Sequence, residues 1–272
     1  MSYLERIYTQ TGPLKGQVYR VAETQEKSAT TDIVDTAEEQ SRLEELLEES
    51  KPPYTHPDRG LHYLLKTPFR YPPLRYGSRF GRVFEKSLFY GSADTQTALS
   101  ETAYYRLVFV RDTTKPFPRP VKSHHTIFEA SVGVEKGLQL QSSAWRDVRD
   151  KLTHPSDYAF TQALGGEMRE AGVQAFQFIS ARAVQVGLRA PDAEDRAAGK
   201  SKSGLNAVGL NWGVFTPKAF RRRQPSNFRP MIAVTTREHV SIVVTERDGT
   251  STAAEFPADR FMVAGQLPRP AV

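Results

Sequence analysis

The chain has 272 residues, 39% hydrophobic and 25% charged, with a net charge of +6 and a pI of about 9.4. It contains no cysteine, which excludes disulfides, thiolate metal sites and a cysteine nucleophile and fits a reducing compartment. No apolar run reaches the length of a membrane span. MSYLERIYTQTGPLKG also lacks the basic-then-apolar order of a secretory signal, so a cytoplasmic protein is expected.

Taken in order, residues 1–16 read as a lead-in closed by a Gly-Pro and glycine turn, followed by a short strand, Gln17 to Val21, with Arg20 near its end. Ala37 to Ser50 predicts an amphipathic helix whose stripe of Leu43, Leu46 and Leu47 packs on the body and whose acidic face is solvated. Lys51-Pro52-Pro53 ends it, because a proline ring conflicts with a continuing helix. A short helix over 62–68 leads into Arg75–Leu107, which reads as turn, strand, turn, helix. Arg79 stands at its entry, Tyr90 at the strand end and Glu101 about a turn inside the helix, at equal intervals of eleven residues. Ser92 or Asp94 is the expected cap, and Ala98, Leu99, Thr102, Tyr105 and Phe109 the expected buried face.

A Pro-rich connection over 111–122 precedes a strand, His124 to Val134, on which adjacent His124 and His125 face opposite sides. His56, His62, His154 and His239 are isolated, so no metal site is expected. A helix over 154–172 capped at Ser156 or Asp157, a strand over 173–180 delivering Ser180 at its end, and a loop over 191–204 follow. No G-x-S-x-G elbow and no paired base surround Ser180, so the sequence gives no evidence for a serine nucleophile there. A strand over 205–215 precedes the Arg221-Arg222-Arg223 cluster, and the last part predicts two or three strands with an Asp248-Gly249 hairpin turn. The expected class is α+β with a mixed sheet, in three parts: a lead-in over 1–16, a body over 17–225 carrying the inserted acidic helix, and a C-terminal β extension over 226–272, a candidate surface for homo-oligomers.

Five short pieces in this order resemble the RES domain family: Tyr19-Arg20, Gly77-Ser78-Arg79, Leu88-Phe89-Tyr90, Ala98-Leu99-Ser100-Glu101 and Phe178-Ile179-Ser180, with NWGVFTPKAF similar to the family's closing strand and helix. The resemblance spans 17–223. It departs in lacking the second glycine of the turn and the Trp-Asn that often follows the arginine. The resemblance implies a fold similar to that of ADP-ribosyltransferase toxins and a toxin-like enzyme that cleaves NAD+ by phosphorolysis or hydrolysis. It also implies a small Xre-like antitoxin as partner, with nucleic acid met only through that antitoxin. No cofactor beyond NAD+ as substrate is implied, with inorganic phosphate as a possible co-substrate. Carried over residue by residue, it gives Arg79, Tyr90, Glu101 and Ser180 catalytic roles and gives Tyr19, Arg20, Arg79, Tyr90 and Ser180 roles in binding NAD+. Two other functions compete: transfer of ADP-ribose from NAD+ to a protein, and binding of nucleic acid by the arginine cluster.

Overall fold

A computed structural model describes residues 2–24, 36–52, 60–188 and 209–270. The strands are β1 (Gly12–Glu23), β2 (Phe89–Ser92), β3 (Val121–Gln139), β4 (Ala175–Ile179), β5 (Leu210–Val214), β6 (Ser226–Thr235), β7 (His239–Thr245) and β8 (Ser251–Pro257). They form one sheet in the order β1-β2-β5-β4-β3-β6-β7-β8. Only β3 and β4 run parallel; the other pairings are antiparallel. Helix and strand take similar shares, 34% and 32%, which makes the class α+β, as expected.

Tyr19 of β1 pairs with Ser92 of β2 and also with Glu129 of β3. A residue can do this only across opposite strand edges, so β1-β2-β5-β4-β3 closes into a ring. Strand alternation then sends Leu14 and Val18 of β1, Phe89 of β2, Phe128 and Ala130 of β3, and Trp212 and Val214 of β5 into one buried cluster. Each such aliphatic or phenyl side chain contributes about 1.5–3 kcal/mol of transfer free energy.

Helices cover the outside. α1 (Tyr3–Gln10) and α6 (Ala159–Glu170) contribute Ile7, Leu164 and Met168 to a cluster shared with Phe176 and Phe178 on the outer face of β4. α2 (Ala37–Ser50) and α3 (Tyr63–Lys66) precede the 75–92 region, and α4 (Thr95–Arg111) follows it. α4 lays Ala98, Leu99, Ala103 and Leu107 against Met231, Val240 and Ile242 of β6 and β7. α5 (Arg149–Leu152) and α7 (Ala181–Gln185) are short helices beside the site. The C-terminal strands continue the same sheet, since β6 pairs with β3 from Val121 to Glu129.

Several expectations need correction. The lead-in is ordered: α1 opens with a capping box between Ser2 and Glu5, and β1 starts at Gly12. α2 has the expected bounds, but Leu46 and Leu47 are 46% and 43% exposed, so the stripe does not pack on the body. On α4, Ala98 and Leu99 are buried as expected, together with Ser100, Ala103, Tyr104, Leu107 and Val110, whereas Thr102 is half-buried and Tyr105 and Phe109 are 61% and 50% exposed. Asp94 supplies its cap, accepting from the Thr97 N–H at 2.8 Å. The helix expected from 154 starts at Ala159, after a loop. The loop expected over 191–204 lies outside the described residues.

Candidate active site

Arg79 sits at the tip of a tight turn in which Ser78 bridges Gly81. Gly77 enters that turn at φ +73°, where a Cβ would also stand 2.3 Å from the Gly81 carbonyl oxygen, so only glycine fits. The turn is held from three sides. Phe80 is fully buried against Phe176 and Phe178, with centroids 4.8 Å from each. Gln162 of α6 donates to the Tyr76 and Ser78 carbonyls at 3.0 and 3.1 Å. α6 approaches this closely because Gly165 has no side chain; a Cβ would lie 2.3 Å from the Phe80 oxygen.

The third support is Tyr90. Its hydroxyl accepts the Phe80 N–H at 2.9 Å and shares a proton with the Ser78 hydroxyl at 3.0 Å. Burial pushes its pKa up to about 12, against the opposing effect of those hydrogen bonds and of Arg79, so the hydroxyl stays protonated. Tyr90 therefore spends its hydroxyl shaping the Arg79 turn. The guanidinium of Arg79 lies 4.4 Å over the ring of Tyr158, and its Nη1 donates to the Leu152 and His154 carbonyls at 3.3 and 2.8 Å. No carboxylate pairs with it among the described residues.

Glu101 lies on α4, which directly follows β2. Its Oε1 accepts from Ser180 Oγ and from Asn211 Nδ2, each at 2.6 Å. Asn211 is oriented in turn by Ser92, whose hydroxyl donates to Asn211 Oδ1 at 2.8 Å. Ser180 is fully buried and also caps α7, accepting from the Ala183 N–H at 3.0 Å. Both donors act on one oxygen, and Oε2 has no hydrogen-bond partner among the described residues. The carboxylate is only half-buried, so Oε2 is the atom available to a ligand. Glu101 does not pair with Arg106 on the helix; Arg106 lies over Phe109 instead, 4.9 Å from its centroid.

Arg20 points into the mouth of the ring. Its guanidinium stands 4.7 Å from the Phe89 ring and donates to the Tyr90 carbonyl at 2.6 Å. Burial lowers its pKa to about 10 with no carboxylate to offset it, yet it remains charged near neutral pH. A half-buried cation without a carboxylate partner fits a place where an anion binds. Tyr19 is on the other face of β1, packed into the cluster beneath α4.

Arg79 and Tyr90 thus come together in one contact set, Arg20 joins it through the Tyr90 carbonyl, and Glu101 and Ser180 form a second set. Asn211, Ser92 and Tyr158 complete both. Strand alternation in LNWGV places Asn211 opposite the buried Leu210, Trp212 and Val214, and that was the available signal for it; Ser92 and Tyr158 carried none. Among the described residues no three His, Asp or Glu side chains are grouped to hold a metal ion, and no helix is long and apolar enough to cross a membrane.

The structure thus sets, beside a mixed sheet closed into a ring, a carboxylate held by neutral donors and arginines that lack carboxylate partners among the described residues. Residues 52–233 match the RES domain model, about two thirds of the chain, so the chain belongs to the RES domain family. The family's context is that of toxin-related enzymes acting on NAD. Arg79, Tyr90, Glu101, Ser180 and Asn211 fall inside the matched segment, whereas Arg20 precedes it. Among curated proteins, no relative matches the chain.

Proposed function

We propose that the protein cleaves the nicotinamide–ribose bond of NAD+, passing the ADP-ribosyl group to phosphate or water. One observation carries this reading: Glu101 is fixed through Oε1 by Ser180 and Asn211 while Oε2 is unclaimed. Cleavage passes through an oxocarbenium-like state with positive charge on the ribose. Nicotinamide leaves as a neutral ring from a pyridinium, so no strong general acid is required. The need is for an anion beside the sugar and cations beside the pyrophosphate. Glu101 Oε2 supplies the first, and its orientation costs no reorganisation because two donors already hold its other oxygen. Arg79 and Arg20 supply the second through guanidinium forks suited to phosphate oxygens. Ser180 acts as a donor to the carboxylate, not as a nucleophile.

A second reading, transfer of ADP-ribose to a protein, draws on Tyr105 and Phe109. They lie one and two turns beyond Glu101 on α4 and are exposed, a surface on which an acceptor could rest. The test is NAD+ consumption by purified protein with and without inorganic phosphate, together with a search for label on protein. Phosphate-dependent nicotinamide release identifies phosphorolysis, and release without phosphate identifies hydrolysis. Labelled protein identifies transfer. Intact NAD+ in all conditions with folded protein overturns the proposal.

A further inference from the structure

We propose that Arg182 is a positioning residue that fixes Arg79 against the pyrophosphate; the inference rests on the NAD-cleaving reading above. Arg182 is 2% exposed and, among the described residues, has no carboxylate partner. Its guanidinium carbon lies 3.5 Å from the Tyr104 ring centroid, its Nη1 donates to Gln185 Oε1 at 2.8 Å, and its Nη2 donates to the Pro155 carbonyl at 2.8 Å. These contacts tie three pieces of the site together. Tyr104 is on α4, three residues past Glu101. Arg182 itself is two residues past Ser180. Pro155 follows His154, whose carbonyl accepts from Arg79.

The segment between α5 and α6 is organised for this purpose. The exposed ring of His154 folds back onto its own loop, its Nδ1 accepting the N–H groups of Ser156 and Asp157 at 3.3 and 2.8 Å. The carbonyls of Leu152, His154 and Pro155 are thereby left for arginines: the first two bind Arg79 and the third binds Arg182. Where Pro155 goes, the anchor of Arg79 goes with it. A purely structural residue at this depth would be apolar, since burying a cation without a carboxylate is unfavourable. A lysine would not serve either, because one ammonium on a flexible stem cannot span both acceptors and lie flat on Tyr104.

The test is steady-state NAD+ cleavage by wild type, Arg182→Gln, Arg182→Lys, Arg79→Gln and the Arg79→Gln/Arg182→Gln double variant. Arg182→Gln is expected to raise KM about tenfold with kcat changed about twofold or less, and Arg182→Lys to behave like it. In the Arg79→Gln background the same substitution is expected to add nothing to KM, as it must if Arg182 acts through Arg79. A KM effect that repeats in full in that background, or a fall in kcat at unchanged KM, would overturn the inference. If Arg182→Gln does not fold, Gln185→Ala carries the same test: a smaller rise in KM, about two- to threefold, that vanishes in the Arg79→Gln background. A folded wild type that leaves NAD+ intact removes both the reading and the inference. An active wild type matched by its Arg182 variants removes the inference alone.

Discussion

The ring side of the molecule and its C-terminal meander handle partly or fully buried arginines in opposite ways. In the meander, Arg229 is held by Glu246 at 3.1 Å and by the Thr95 hydroxyl at 2.9 Å, with 12% of the arginine side chain and 32% of the glutamate exposed. On the ring side Arg20, Arg79 and Arg182 find carbonyl oxygens and aromatic faces but, among the described residues, no carboxylate. Glu101, the carboxylate of the second contact set, is engaged by neutral donors instead. Cations matched by acids serve the fold. Cations and an acid kept apart are what the proposed NAD+ site requires, since the ligand brings the opposite charges.

The largest effect that sharpens this contrast is expected at Glu101. Glu101→Gln keeps the shape and removes the charge, and losing one such electrostatic group costs about 2.7–4 kcal/mol of transition-state stabilisation. NAD+ turnover should fall about a hundredfold or more, with the melting temperature within about 2 °C of wild type. Next come the unmatched cations. Arg20→Met should raise KM for NAD+ about tenfold while leaving stability unchanged or improved, because it replaces a half-buried charge that has no carboxylate partner with apolar volume. A destabilised Arg20→Met with normal KM would place Arg20 among the structural arginines and erase the contrast. Arg229→Met should do the reverse, leaving turnover intact but stranding Glu246. Its expected cost of about 1–3 kcal/mol is read from denaturant unfolding.

The smallest effect concerns the floor beneath α4. His125 bonds to Ser123 at 2.8 Å, and both are buried. Burial first, then Arg106, holds its pKa below the ordinary histidine value, with His124 adding to the lowering and Glu23 opposing it. The unfolded chain therefore binds the proton more readily than the folded one. Stability from this group is complete above the unfolded pKa and is lost as pH falls through that value toward the lower folded one. Melting temperatures should decline between neutral and mildly acidic pH, and less steeply in His125→Gln; equal slopes would exclude His125 as the source.

The parts of this site that the sequence announced are those whose residues work within one local unit. Arg79, Tyr90 and Glu101 sit on a turn, a strand and a helix consecutive in the chain, an order that suggested one cleft, whereas the fold divides them between two contact sets. Asn211 joins them only because β5 pairs with β2, setting Asn211 opposite Ser92, a pairing across more than a hundred residues that no local pattern encodes. Ring closure was hidden for the same reason: β1 meets β3 over a long sequence gap. α1 is encoded locally, since Ser2 and Glu5 have capping-box spacing. On α4 the helical period was clear and its phase was not. Tyr105 and Phe109 extend the stripe from Glu101, while the buried face is set by where β6 and β7 lie.

The most direct measurement is single-turnover nicotinamide release from NAD+ by wild type and by Glu101→Gln, with both shown to be folded and to bind ADP-ribose. The wild type is expected to release nicotinamide, and Glu101→Gln to bind ADP-ribose comparably while releasing it about a hundredfold more slowly. Equal rates from the two proteins would contradict the role given to the Glu101 carboxylate, and no release from either would contradict NAD+ cleavage itself.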